Sequence, residues 1–144
     1  MNELIKWISI ADRHSKIYLD KKLKEIGLNS SQYFYIIKIF ENPGITQDKI
    51  MDSIHLNPSN ITRALCQLEK FKFIERVPKK EDKRTYHLYL TDKGERFYPL
   101  VNKIIDDWCK EILSDFSEEE SRCLLKLIKK VATNSLVATE IIKK

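Results

Sequence analysis

Between Asn57 and Arg96 the chain carries ten basic and six acidic side chains, so most of its net charge of +5 lies there. The stretch Arg76–Arg84 is denser still, with Arg76, Lys79, Lys80, Lys83 and Arg84 against Glu81 and Asp82. Upstream stands a small polar run, Pro58-Ser59-Asn60-Ile61-Thr62-Arg63, with Gln67 a helical turn further on. Guanidinium, amide and hydroxyl groups of this kind hydrogen-bond to base edges, and arginine suits guanine. A concentrated positive field attracts phosphate. Helix capping alone would account for Asn57, Ser59 and Asn60, but not for the basic loop about twenty residues later. The pattern therefore points to nucleic acid.

Other chemistries are poorly served. The chain has 144 residues and 17.1 kDa, which suggests a single domain spanning 1-144. With 3 Gly and 4 Pro it lacks the material for a Gly-rich phosphate loop or an all-β sandwich, and it holds no GxSxG, HExxH or P-loop. No catalytic group, enzyme activity or cofactor is expected. His14, His55 and His87 fall on three separate elements with no paired spacing, so no metal site is expected. Cys66, Cys109 and Cys123 form no CxxC pair. Cys66 reads as a small packing residue, and Cys109 and Cys123 as core of helices that pair in a dimer. Asp106-Asp107 and Glu118–Glu120 read as surface and cap charges. No uncharged run approaches the roughly 20 residues of a membrane span. The start, Met1-Asn2-Glu3-Leu4-Ile5-Lys6, is unlike a secretion signal. A cytoplasmic location is the expectation.

The elements that would carry these groups can be read from spacing and caps. Residues 2–25 show helical periodicity, and Gly27 suits a left-handed stop. Asn29 to Gln32 has the form of a capping box for an apolar helix over 33–40, ended by Asn42-Pro43-Gly44. Thr46 caps a short helix over 47–54, and His55-Leu56 makes a tight turn. Asn57-Pro58 then opens a helix whose Ile61, Ala64, Leu65 and Leu68 share one buried face. Together these form a helix-turn-helix. Strands at 74–77 and 85–90 make a hairpin with the basic stretch at its tip. Thr91 caps a fifth helix of about 23 residues, with Pro99 expected to kink it. Its apolar face is Phe97, Val101, Ile104, Trp108 and Ile112. Ser117 to Glu120 boxes a last, markedly apolar helix with Leu124, Leu127, Ile128, Val131 and Leu136. The fold class is mainly α with a small β-hairpin wing.

These residues and their order resemble the MarR family of winged-helix transcription factors over essentially the whole chain. The resemblance rests on Asn57–Arg63 with Leu68-Glu69-Lys70, on Ile74-Glu75-Arg76, on the wing run Glu81-Asp82-Lys83-Arg84, and on Leu90-Thr91-Asp92-Lys93-Gly94. The entry Asn42-Pro43-Gly44-Ile45 is most similar to the SlyA-like branch. The resemblance implies a winged helix-turn-helix DNA-binding region at 30-96 and a helical dimerisation region at 1-28 and 97-144. It implies a homodimer, a ligand-responsive repressor, on a pseudo-palindromic double-stranded DNA operator. Ser59, Asn60, Thr62 and Arg63 would lie in the major groove, and Gln67, on the same exposed helix face, is a further DNA-binding candidate. Lys79, Lys80 and Lys83 would meet phosphates, and Arg84, held by Asp82, would enter the minor groove. The family commonly ends its recognition helix with Gly where this chain has Lys72; a lysine there takes a left-handed conformation at some cost, or the helix ends differently.

Two alternatives stand beside this reading. The aromatic cluster Tyr33, Phe34, Tyr35 and Phe40 reads as core packing, or, through Tyr33 and Phe34, as the wall of a pocket for a small aromatic effector. A winged-helix protein–protein module without DNA binding is the rival function. It would be expected to lack Arg63 and Arg84, and both are present.

Overall fold

Amphipathic segments form six α-helices among the described residues, 1–142 of this computed structural model. They are α1 (Leu4–Leu23), α2 (Tyr33–Glu41), α3 (Gln47–Ile54), α4 (Pro58–Lys70), α5 (Asp92–Ile112) and α6 (Glu118–Ala138). Residues 143 and 144, the end of the expected helical region 97–144, lie outside the described residues. Three strands, β1 (Ile45–Thr46), β2 (Ile74–Pro78) and β3 (Tyr86–Leu90), make an antiparallel sheet in the order β1-β3-β2. The chain falls into two compact units, Met1–Trp108 and the residues from Cys109 on.

In the first unit the core joins Leu19 and Leu23 of α1, Tyr35, Ile36 and Ile39 of α2, Ile50 of α3, and Ile61, Ala64, Leu65 and Leu68 of α4. Phe73, Ile74, Leu88 and Val101 complete it. The face expected of α4 from its spacing is thus the buried one. Aromatic contacts fasten α5 to this core: Phe40 stacks on Tyr98 at 3.6 Å between ring centres, and Tyr18 on Trp108 at 4.4 Å. The Trp108 indole also donates to Ser15 Oγ at 3.0 Å.

In the second unit no described residue is buried. Helix α6 starts at the expected capping box, in which Ser117 Oγ accepts from the Glu120 N–H while the Glu120 carboxylate accepts from the Ser117 N–H. Its apolar residues Leu125, Leu127, Ile128 and Val131 stand exposed.

Several expectations need correction. Strand β1 has no counterpart among the expected elements, and the wing is therefore edged by a third strand. The first helix ends at Leu23 and continues only as a short 3-10 turn, Lys24–Ile26, before Gly27 takes φ +78°. The Asn29 box is half formed: Gln32 Oε1 accepts from the Asn29 N–H, but Asn29 Oδ1 turns to Ser31, two residues on. Helix α5 runs for 21 residues rather than about 23, with Pro99 inside it. Cys66 is exposed rather than packed. Of the four aromatics near α2, Tyr35 alone is core; Tyr33 and Phe34 are half-buried and Phe40 is exposed.

The end of α4 resolves the question at Lys72, which takes φ +65°. The Phe73 N–H bonds Leu68 O at 2.9 Å and the Lys72 N–H bonds Glu69 O at 3.0 Å, a complete Schellman close normally built on glycine. Helix α5 begins against this turn so tightly that a Cβ on Gly94 would sit 2.2 Å from Phe73 O. Left-handed backbone costs a non-glycine residue about 1–2 kcal/mol. Glycine's extra freedom in the unfolded chain offsets roughly 0.5–1 kcal/mol of that. Lys72→Gly is therefore expected to raise stability by about 0.5–1 kcal/mol, seen as a higher urea midpoint at unchanged slope. Gly94→Ala must displace backbone and is expected to lower stability by about 1–3 kcal/mol. A midpoint for Lys72→Gly at or below that of the parent chain would show that the turn is not strained.

Candidate nucleic-acid interface

The helix-turn-helix is positioned by local caps. Thr46 Oγ1 accepts from the Lys49 N–H at the start of α3, and His55 takes φ 51° to end it. Asn57 Oδ1 then accepts from both the Ser59 N–H at 2.9 Å and the Ser59 hydroxyl at 2.7 Å, with Pro58 as the first helical residue. The face of α4 opposite the core presents Ser59, Asn60, Thr62, Arg63 and Gln67, all exposed.

These five side chains are not equivalent. Ser59 is committed to the cap. The Thr62 hydroxyl donates to Pro58 O at 3.0 Å and accepts from Gln47 Nε2 at 2.8 Å. Gln67 Oε1 accepts at 3.0 Å from Gln32 Nε2, whose own residue is buried. Among the described residues, Asn60 and Arg63 make no side-chain hydrogen bond or ion pair, so their amide and guanidinium are available to a ligand.

The wing is the β2–β3 hairpin, in register from Ile74 opposite Leu90 to Pro78 opposite Tyr86. Its tip is folded by Asp82: Oδ1 accepts from the Arg84 N–H and Oδ2 from the Thr85 hydroxyl, each at 3.0 Å. Asp82 thus holds the backbone of Arg84, and no bond from it to the guanidinium is present among the described residues. Lys80, Lys83 and Arg84 are exposed and Lys79 partly so. Arg76, at the base of the wing, is instead engaged by the Glu69 carboxylate at 2.6 Å and lies over the Tyr86 ring. Arg84 and Gln47 line one shallow cleft of about 190 Å³, so α3 and the wing meet there.

A second cavity, of about 450 Å³, opens beside α4. Tyr33, Phe34, Ile54 and Leu56 give it apolar walls, and Lys16, Asn60, Arg63 and Gln67 its polar ones. Sequence reasoning gave Lys16 and Gln47 no role here and Gln32 a capping role only, and no local signal ties any of the three to the face of α4. Among the described residues no three His, Cys, Asp or Glu come together as a metal site, and no helix is long and apolar enough to cross a membrane.

A capped helix-turn-helix with a polar exposed helix face, followed by a basic β-hairpin wing, defines a winged-helix transcriptional regulator that binds DNA. The sequence profile of the MarR family matches residues 28–86. The chain is 31% identical over 144 residues to an uncharacterized HTH-type transcriptional regulator, YybA, of Bacillus subtilis strain 168, covering all of this chain and 96% of the relative. It overlays a MarR family regulator from Listeria monocytogenes solved in complex with a 26mer DNA, with TM-score 0.88, 28% identity, and 100% and 99% of the two chains covered. The crystal structure of the transcriptional regulator SlyA overlays with TM-score 0.90, 28% identity, and 98% and 99% coverage. This chain belongs to the MarR family, whose members named here are regulators and not enzymes.

The wing tip carries a pH dependence. The Arg84 N–H, then the Thr85 hydroxyl and the charge of Lys79, hold the Asp82 carboxyl below its usual range. A depressed folded pKa means the turn is fully held above the ordinary aspartate value of about 3.9 and loosens as pH falls through the lower folded value. In an NMR titration the Arg84 amide and the Asp82 carboxyl are expected to shift together with a midpoint under about 3.9. A midpoint at or above it would mean that Asp82 does not fold the tip.

Proposed function

We propose that the chain acts in the cytoplasm as a homodimeric repressor on a pseudo-palindromic operator. In this reading 30–96 is the DNA-binding region, and 1–28 with 97–144 the dimerisation region. Helix α4 enters the major groove with Asn60 and Arg63 on base edges and Ser59, Thr62 and Gln67 beside them. Lys79, Lys80 and Lys83 meet phosphates while Arg84 enters the minor groove. The observation that carries the reading is the unengaged pair Asn60 and Arg63 on the exposed face of α4, with a basic wing in the same unit. The Listeria monocytogenes relative in complex with DNA supports it.

Dimerisation is supported by apolar residues that a lone chain leaves in water: Leu4, Ile5, Trp7 and Ile8 on α1, and Leu125, Leu127, Ile128 and Val131 on α6. The effector is a small aromatic anion. The 450 Å³ cavity has the size of a small-ligand pocket, with Tyr33 and Phe34 to stack on a ring and Lys16 and Arg63 to meet a charge. An occupant would take Arg63 from the base edges, which gives release of DNA on binding. The protein–protein module is the weaker reading, because Arg63 and Arg84 are both exposed.

Titration against operator and scrambled duplexes over a range of salt tests the DNA half. Arg63→Ala is expected to cost about 1–3 kcal/mol per half-site on operator and little on scrambled DNA. Replacing Lys79 and Lys80 by Ala should weaken both duplexes alike and lower the salt slope by about 0.9 for each phosphate no longer neutralised. An unchanged slope would reduce the wing tip to a solvated loop. Equal losses on both duplexes would make Arg63 a phosphate contact.

A further inference from the structure

Thr62 stands on the exposed face of α4, between Ile61 of the core and the free Arg63. A hydroxyl has one hydrogen to give and two lone pairs. The Thr62 hydrogen is already given to Pro58 O at 3.0 Å, the carbonyl one turn back in its own helix. One lone pair is taken by Gln47 Nε2 at 2.8 Å, across from the first residue of α3. Gln47 is itself half-buried at the start of that helix, so the donor is held in place.

The consequence concerns what Thr62 can offer a ligand. The major groove presents mostly acceptors: guanine O6 and N7, adenine N7 and thymine O4. Thr62 has no hydrogen left for any of them. What remains unengaged is a second lone pair, which could accept only from an adenine or cytosine amino group, and the γ-methyl. One base presents an apolar group in that groove, thymine, through its C5-methyl.

We propose that Thr62 reads a thymine through methyl–methyl contact, and that Gln47 is the positioning residue that turns the hydroxyl away and the methyl outward. This rests on α4 lying in the major groove, as proposed above. Gln47 thereby becomes a determinant of sequence preference although it lies outside the reading helix.

The test begins with duplexes selected by the full chain from a random library. Each thymine of the selected half-site is then replaced by uracil, which removes the C5-methyl and nothing else. One thymine per half-site is expected to show about a 4-fold loss of affinity on replacement, the size expected for one buried methyl. Thr62→Val should keep that discrimination, while Thr62→Ser should abolish it although it keeps the hydroxyl. Gln47→Ala should reduce the thymine-to-uracil ratio in the parent chain and leave it unchanged in the Thr62→Val background. A merely structural role for Gln47 would weaken both duplexes equally and leave the ratio alone, which overturns its part. Retained discrimination in Thr62→Ser with lost binding in Thr62→Val would overturn the methyl reading in favour of the hydroxyl. If selection yields a consensus that Arg63→Ala relaxes, yet no thymine responds to uracil, this inference falls while the major-groove placement stands. If selection yields no consensus, the placement falls and this inference with it.

Discussion

Where α4 ends, the carbonyls of three consecutive residues are all claimed by the start of α5. Lys93 Nζ bonds Phe71 O, the Thr91 hydroxyl bonds Lys72 O, and the Thr91 N–H bonds Phe73 O. Lys72 must be left-handed for those carbonyls to point the required way, and Gly94 must lack a Cβ for α5 to come so close. Lys93 also lies over the Phe73 ring at 4.2 Å, and Phe73 meets Phe97 edge to face at 5.5 Å. The end of α4, the entry to the wing and the start of α5 are therefore one knot. A single strained residue is tolerated there because each of its neighbours is held by a partner of its own.

Much of the fold is legible from sequence because the signals that set it are local. Asn57-Pro58, Ser117 with Glu120 and Thr46 each act within a few residues and each marks its helix boundary where expected, and Gly27 closes the short turn that follows the first helix. What escapes is whatever depends on distant partners. Strand β1 is two residues long, too short for any alternation, and exists because Ile45 pairs with Leu88. Asn29 and Gln32 fit a capping box by type, but Asn29 Oδ1 is taken by Ser31, and the Gln32 amide, besides its half of the box, reaches Gln67 on another helix. Lys72 closes its helix by local bonds, but its carbonyl is held by Thr91, far along the chain.

The site divides along the same line. Helical spacing identifies the exposed face of α4, and residue type makes Asn60 and Arg63 its candidate readers. Spacing does not reveal which of those side chains are already engaged. Thr62 and Gln67 look as free as Arg63 in the sequence, yet each answers to a glutamine on another element. Cys66 fails for a related reason. Its small size suggests packing, but its position puts it between Arg63 and Gln67 on the side away from the core.

The engaged and free side chains suggest different contributions to the proposed DNA complex. Ordering a long side chain on binding costs conformational entropy, and one already held by the fold has lost that freedom beforehand. Ser59, Thr62 and Gln67 are held, so what they present is fixed before DNA arrives, and a fixed surface discriminates by fit. The wing lysines are long and exposed on a tip whose backbone Asp82 holds. Such groups find phosphates without demanding one register, which suits affinity more than sequence choice. Arg63 stands between the two classes: free, on the reading face, and also on the wall of the 450 Å³ cavity. Gln67 shares that wall and ties it through Gln32 to the start of α2. In the proposed complex, a molecule lodged there would act on the exposed face of α4 directly, through Arg63, without first having to move the knot that holds α4 in place.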